Sequence, residues 1–299
     1  MHGTLAFTVD AADCRRLLAP AGLAMPTETV TGLTVTGGEI VAISQAHGLE
    51  QAAAVIAPCS AEVTIRYGVA PPEPGQGWPE AAFRPRATRY TTAAEALAQD
   101  ARGTADAVRR SGGTDADAAQ ALAEAARARF AYAHPEHRFT DGQDAVPYLA
   151  CGATPGSCVD INTYFVASLR AAGIEAAYLY GVFFPAERDE ARAGQVRRRA
   201  LDGHCWVATR HHGPEGVRIL EWDIAHHMKA GLGPVQPTRD PRPGCRLALC
   251  HSMGHRHVVD GAIHEAKIIG VPIGIGSGGV MDAPLREIVF DDARLPDMA

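Results

Sequence analysis

Residues 157–173 write both ends of one helix into their side chains, and that narrows what the chain can build around them. Ser157 suits an N-cap, and Asp160 three residues later can reach back to it in a capping box. Ile161, Phe165 and Leu169 then recur at four-residue spacing, and Gly173 supplies the stop. Cys158 therefore falls in the first turn. There the unpaired backbone N–H groups and the helix dipole favour a thiolate over a thiol.

Two later stretches supply partners for such a thiol. Gly203-His204-Cys205-Trp206-Val207 reads as a strand, and Val217–Ile224 reads as its neighbour, with Asp223 near its end. Antiparallel pairing can set His204 beside Asp223. A carboxylate there fixes the imidazole tautomer and leaves the other ring nitrogen for the thiol. The predicted set is Cys158 as nucleophile, His204 as base and Asp223 as orienter. Cys205 should point to the opposite sheet face, into the core. Cys151 is the rival thiol, but it sits in a turn-rich loop without a helix terminus.

The segments Gly156–Asp160, Phe165–Ala176, Tyr178–Phe184, Gly203–Val207 and Trp222-Asp223 together resemble, in order, the core motifs of the transglutaminase-like superfamily. The likeness spans roughly residues 85–230. It implies an α+β, papain-like/transglutaminase-like core, with the nucleophile at a helix N-terminus packed on an antiparallel sheet. It also assigns the family's Cys, His and Asp roles to Cys158, His204 and Asp223. The family holds acyl-transfer enzymes, peptidases, amidases and members without activity, so the reaction stays open. The expected chemistry is cysteine-dependent acyl transfer through a thioester, first as hydrolysis of an amide or peptide bond. Amide formation or transamidation on the same triad comes second, and a non-catalytic binding protein is the alternative of another class. The expected partner is a peptide or small amide, joined by an amine acceptor in the second case. No cofactor or metal is required.

Such a site needs oxyanion donors. The backbone N–H of Cys158 is one; the family draws another from a side chain upstream of the cysteine, for which Gln143 and Tyr148 are the candidates. His255 and His257, at strand period, are candidates for the substrate rim. Residues 187–199 carry Arg188, Arg192, Arg197, Arg198 and Arg199. They form either a solvated loop or a lid whose arginines, Arg197 and Arg198 among them, meet an anionic substrate group.

Ahead of the core, residues 1–85 alternate β-branched runs with Gly and Pro, which predicts a small β-sandwich or open barrel; Pro71–Gly75 marks its exit. Residues 86–299 are then the catalytic domain. Alanine-rich helices are expected over 93–110 and 114–132, the second opened by a capping box at Thr114–Asp117. Residues 270–279 read as a glycine-rich loop, without the lysine or helix start of a phosphate-binding motif. Cys245, Cys250, His251, His255, His257 and His264 crowd together but lack the tight pairs of a structural zinc site. A net charge of −6 from 28 basic and 34 acidic side chains gives no nucleic-acid footprint. No run is long enough for a membrane span, and the first residues show no basic or apolar leader. Seven scattered cysteines suit a reducing bacterial cytoplasm. The oligomeric state is left open.

Overall fold

The computed structural model describes residues 1–150 and 152–293. The rival thiol, Cys151, lies outside the described residues.

Alternation builds the first layer. Gly3–Asp10 buries Leu5, Phe7 and Val9 on one face, and Glu62–Ala70 buries Val63, Ile65, Tyr67 and Val69. The two strands pair antiparallel from Gly3↔Val69 to Asp10↔Glu62, which puts both apolar sets on one side. They are central in a seven-stranded sheet whose order is Glu190–Arg192, Gln195–Ala200, Leu285–Ala293, Gly3–Asp10, Glu62–Ala70, Thr29–Thr36, Leu23–Ala24. A five-stranded sheet of Gly279–Asp282, Ile273–Gly276, Arg16–Pro20, Gln51–Pro58 and Gly38–Ala46 shares its core through Leu17, Ala54 and Ile56.

The β layer thus draws strands from both sides of the expected boundary at residue 85. Leu285–Ala293 lies along the first strand with Leu5 opposite Phe290, so the last described strand closes the sheet begun by the first. Residues 273–282 fold as a hairpin, where the sequence suggested a loop. Ile273 and Ile275 alternate into the core, and Gly279 takes the turn at φ +108°.

The second layer is a four-stranded antiparallel sheet ordered Gly216–Trp222, Gly203–Gly213, Glu175–Pro185, Gly244–His251. Against it packs the helix Cys158–Ala171, and over that the helices Glu95–Arg110 and Asp115–Arg129. The Thr114–Asp117 capping box opens the last of these, as its sequence predicts. Small buried side chains, among them Ala101, Ala105, Ala119 and Ala123, let the two alanine-rich helices approach closely. The Cys158 helix is consequently enclosed on every side. All residues from Cys158 to Leu169 are buried, where a single stripe was expected. The whole is an α+β arrangement of helices and antiparallel sheets. Among the described residues, no helix is long and apolar enough to cross a membrane.

Candidate active site

The helix start is fixed before any chemistry is considered. Asp160 Oδ2 accepts hydrogen bonds from the Ser157 N–H (2.8 Å) and the Ser157 hydroxyl (2.7 Å), closing the loop across the first turn. Arg138 Nη1 donates to the same carboxylate at 3.0 Å and to Ser157 Oγ at 2.9 Å, neutralising a fully buried acid. Gly156 enters this turn against Phe130, where a Cβ would lie 2.6 Å from the ring. The thiol of Cys158 is therefore aimed by a cap that several hydrogen bonds to Asp160 Oδ2 hold in place.

The structure brings Cys158, His204 and Asp223 together, though by a slightly different route from simple cross-strand pairing. The register Val207↔Trp222 carries Asp223 past the end of its strand. Asp223 instead caps the short helix Ile224–Lys229, with Oδ1 accepting the His226 N–H at 3.0 Å. Its Oδ2 meets His204 Nε2 at 2.7 Å. The Nδ1 side of the ring is left for Cys158, which lies close enough for each group to shift the other's pKa.

Burial alone would push the His204 pKa down. The Asp223 charge, the Asp223 hydrogen bond and the Cys158 sulfur outweigh it and hold the imidazole at about 9. Cys158 is held well below the ordinary thiol range by the Cys205 thiol, against burial, with the His204 cation and the Cys205 N–H adding to the effect. Both shifts favour a thiolate beside an imidazolium. Cys205 does enter the core, as expected, but that core is the one beneath Cys158. Asn162 Nδ2 donates to the Cys205 carbonyl at 2.9 Å and to its sulfur at 3.4 Å.

Residues that the sequence did not single out complete the arrangement. Arg246 is fully buried; its Nη2 donates to Asp223 Oδ2 at 2.8 Å and its Nε to Asp240 at 2.7 Å. Its guanidinium lies 4.9 Å over the Trp206 ring. With His204 it keeps Asp223 ionised, far below the usual carboxylate range despite burial. His226 stacks on His204 with centroids 3.9 Å apart and planes 6° from parallel; burial drives its own pKa to about 4, so the stacked ring is neutral. Ligand atoms of His204, Asp223 and His226 lie within 4.8 Å of one another, a spacing that could also hold a metal ion. Arg246 already supplies positive charge to the shared carboxylate oxygen.

Cys158 and His204 open onto a cleft of about 880 Å³. One wall is the segment after Ala266, with Lys267, Gly270 and Pro272; other lining residues are Tyr132, His134, Arg138, Tyr180 and Asp202. Gly270 passes so close to Tyr180 that a Cβ would meet its ring at 1.5 Å. A smaller hollow of about 250 Å³ also reaches His204, bordered by His226, Arg188 and Arg242.

Several expected contributors lie elsewhere. Gln143 is exposed in a turn, and Tyr148 is taken by Arg129, whose Nη2 donates to its hydroxyl at 3.1 Å; neither lines the cleft. His255 and His257 lie on the first strand of the hairpin 255–266 with their rings buried, rather than on the rim. His257 Nδ1 contacts the Ser44 carbonyl at 3.2 Å, and the His255 and His257 rings stack 6.0 Å apart. Arg197 and Arg198 belong to no lid. Gln195–Ala200 is an interior strand of the seven-stranded sheet, where Arg197 pairs with Asp291 and Arg198 with Asp189 and Asp292. Arg199 pairs with Glu190 and Glu287. Carboxylates of the same sheet consume these charges, so the cluster needs no anionic substrate.

A family model for the transglutaminase-like superfamily matches residues 102–216, which include Cys158 and His204 but end before Asp223. No curated protein matches the sequence at a significant level. Among solved structures, a candidate cysteine protease from Cytophaga hutchinsonii aligns over 97% of this chain and 96% of its own, at TM-score 0.50 and 8% identity, a likeness of fold alone. The periplasmic domain of TgpA from Pseudomonas aeruginosa aligns over 77% of this chain in two structures. One, bound to ethylmercury, has TM-score 0.36, 14% identity and 91% of its own chain covered; the other has 0.32, 13% and 89%. The cytoplasmic placement expected above is not retained. Unpaired cysteines report on disulfide content and do not fix a compartment. Residues 102–216, with Cys158 and His204 among them, match the family model of the transglutaminase-like superfamily, the family that the sequence motifs resemble.

Proposed function

We propose that the protein is a cysteine-dependent acyl-transfer enzyme that hydrolyses an amide or peptide bond through a thioester on Cys158. One observation carries the reading: the buried chain of contacts from the Cys158 sulfur through His204 to Asp223, with 2.7 Å between imidazole and carboxylate. The Cys158 thiolate attacks the carbonyl carbon. The first-turn N–H groups, which have no acceptor within the helix, face the oxyanion that forms. His204 enters as imidazolium and gives its proton to the leaving amine, so that the C–N bond breaks as the thioester forms. The neutral imidazole then takes a proton from water, the hydroxide adds to the thioester, and thiolate and imidazolium are restored. Asp223 and Arg246 keep the ring's tautomer and orientation through both steps. An amine that intercepts the thioester in place of water gives transamidation with the same residues.

Intact-mass labelling with iodoacetamide at mildly acidic pH tests the first step. Rapid modification of one site, lost in Cys158→Ala, is expected, because a thiolate survives there while ordinary thiols stay protonated. Cys158→Ala should also abolish turnover of peptide amides while keeping the native melting profile. Undiminished turnover in that variant would end the reading.

A further inference from the structure

Charged side chains in the cleft divide into those with partners and those without. Arg138 is bound to Asp160 and Ser157. Lys267, on the wall just after the strand Ala262–Ala266, has no carboxylate partner among the described residues. Its ammonium makes one long contact with Thr140 Oγ1, at 3.4 Å, and lies 5.7 Å over the Tyr90 ring. The carboxylates that influence it are Asp160, already held by Arg138, and Asp141, whose Oδ2 accepts the Arg138 N–H at 2.8 Å. Burial lowers the Lys267 pKa to about 8, so the cation persists at neutral pH at a desolvation cost. A half-buried ammonium kept without a counter-ion beside a nucleophile is a place prepared for an anion.

Orientation says which part of a substrate brings it. His204 must deliver its proton to the leaving amine, so the leaving group lies on the His204 side. The acyl part then runs the other way, toward the capped helix start, where Arg138 meets Ser157 and where Lys267 lies within the influence of Asp160 and Arg138. We propose that Lys267 receives a carboxylate on the acyl portion of the substrate, so that the cleft selects acidic acyl donors. This rests on Cys158 being the nucleophile, as proposed above.

The test needs no knowledge of the natural substrate. Iodoacetate and iodoacetamide alkylate the same thiolate but differ in charge. The ratio of their rates at Cys158 should fall about three- to tenfold in Lys267→Met and stay near native in Lys267→Arg, which keeps the charge. In the unaltered protein, glutarate should slow alkylation by iodoacetamide, while glutaramide of the same shape should not. An unchanged ratio in Lys267→Met, or equal protection by glutarate and glutaramide, overturns the assignment. Protection by inorganic phosphate without protection by glutarate overturns the carboxylate in favour of a phosphate. Loss of the ratio in both variants makes Lys267 structural and also rejects the proposal. Absence of any fast thiol in the native protein is a separate result that removes the catalytic reading first.

Discussion

Asp223 carries more of the site than an orienting role requires. One carboxylate, wholly buried, is met by His204 at 2.7 Å, by Arg246 at 2.8 Å and by the N–H of His226 at 3.0 Å. Asp223→Asn keeps the shape and removes the charge. His204 should then lose its raised pKa of about 9, because burial is opposed mainly by that carboxylate. Thiol alkylation at mildly acidic pH should slow, and amide turnover should fall by about 10²–10⁴-fold. Arg246 would be left facing a neutral amide, costing stability of about 3–5 kcal/mol. Turnover within a factor of about two of native would deny Asp223 the orienting role. The closeness of Cys158, His204 and Asp223 was legible in sequence because each sits at a local signal: a helix cap, a strand start and a strand end. Arg246, His226 and Lys267 were not. Their roles come from contacts between segments far apart in the chain, and arginine in a strand or histidine in a short helix leaves no periodic trace.

Elements extend the same contrast. The capped helices and the alternating strands follow from local rules, whereas the arrangement of residues 186–200 depends on partners almost a hundred positions away. Their arginines suggested a lid until Asp291, Asp292 and Glu287 appeared opposite them on the neighbouring strand. Replacing Arg197, Arg198 and Arg199 by glutamine should therefore lower unfolding stability by about 1 kcal/mol, since each pair is partly exposed. The KM of an anionic amide should not move; a salt-dependent rise in KM would return the segment to the site. Gly270 gives the opposite kind of test. Its backbone rests on the Tyr180 ring, and the same tyrosine hydroxyl would meet a Cβ on Gly203 at 2.2 Å. One aromatic side chain thus spaces the wall of the cleft from the strand that delivers His204. Gly270→Ala must displace that ring, and we expect a loss of about 1–3 kcal/mol in a denaturant titration together with reduced turnover. Native stability and rate in Gly270→Ala would mean that the wall moves freely.

For the whole molecule, the histidines off the active site set the response to acid. His251, His255 and His257 are buried where the hairpin 255–266 meets the strands Gly38–Ala46 and Gln51–Pro58. His251 is held by Gln51 and by the Ser252 hydroxyl at 2.9 Å. Burial lowers the pKa of His251 to about 3 and of His255 to about 4, with the neighbouring histidine charge adding in each case; burial also lowers His257. In the unfolded chain each would take its proton near pH 6.5. Below that pH the unfolded state binds more protons than the folded one, so stability falls as pH falls toward the folded values. His204 runs the other way: its contribution is complete below about 6.5 and is lost as pH rises through about 9. The two trends place greatest stability between those limits. Urea unfolding at about pH 7.5 and at about pH 5 should differ by about 2–4 kcal/mol, with the lower value in acid. Hydrogen exchange should show the hairpin 255–266 opening first as acid is added, since its removal exposes all three rings. A stability that stays level from neutral pH to about pH 5 would require these histidines to be protonated in the fold, and the packing described for them would be wrong.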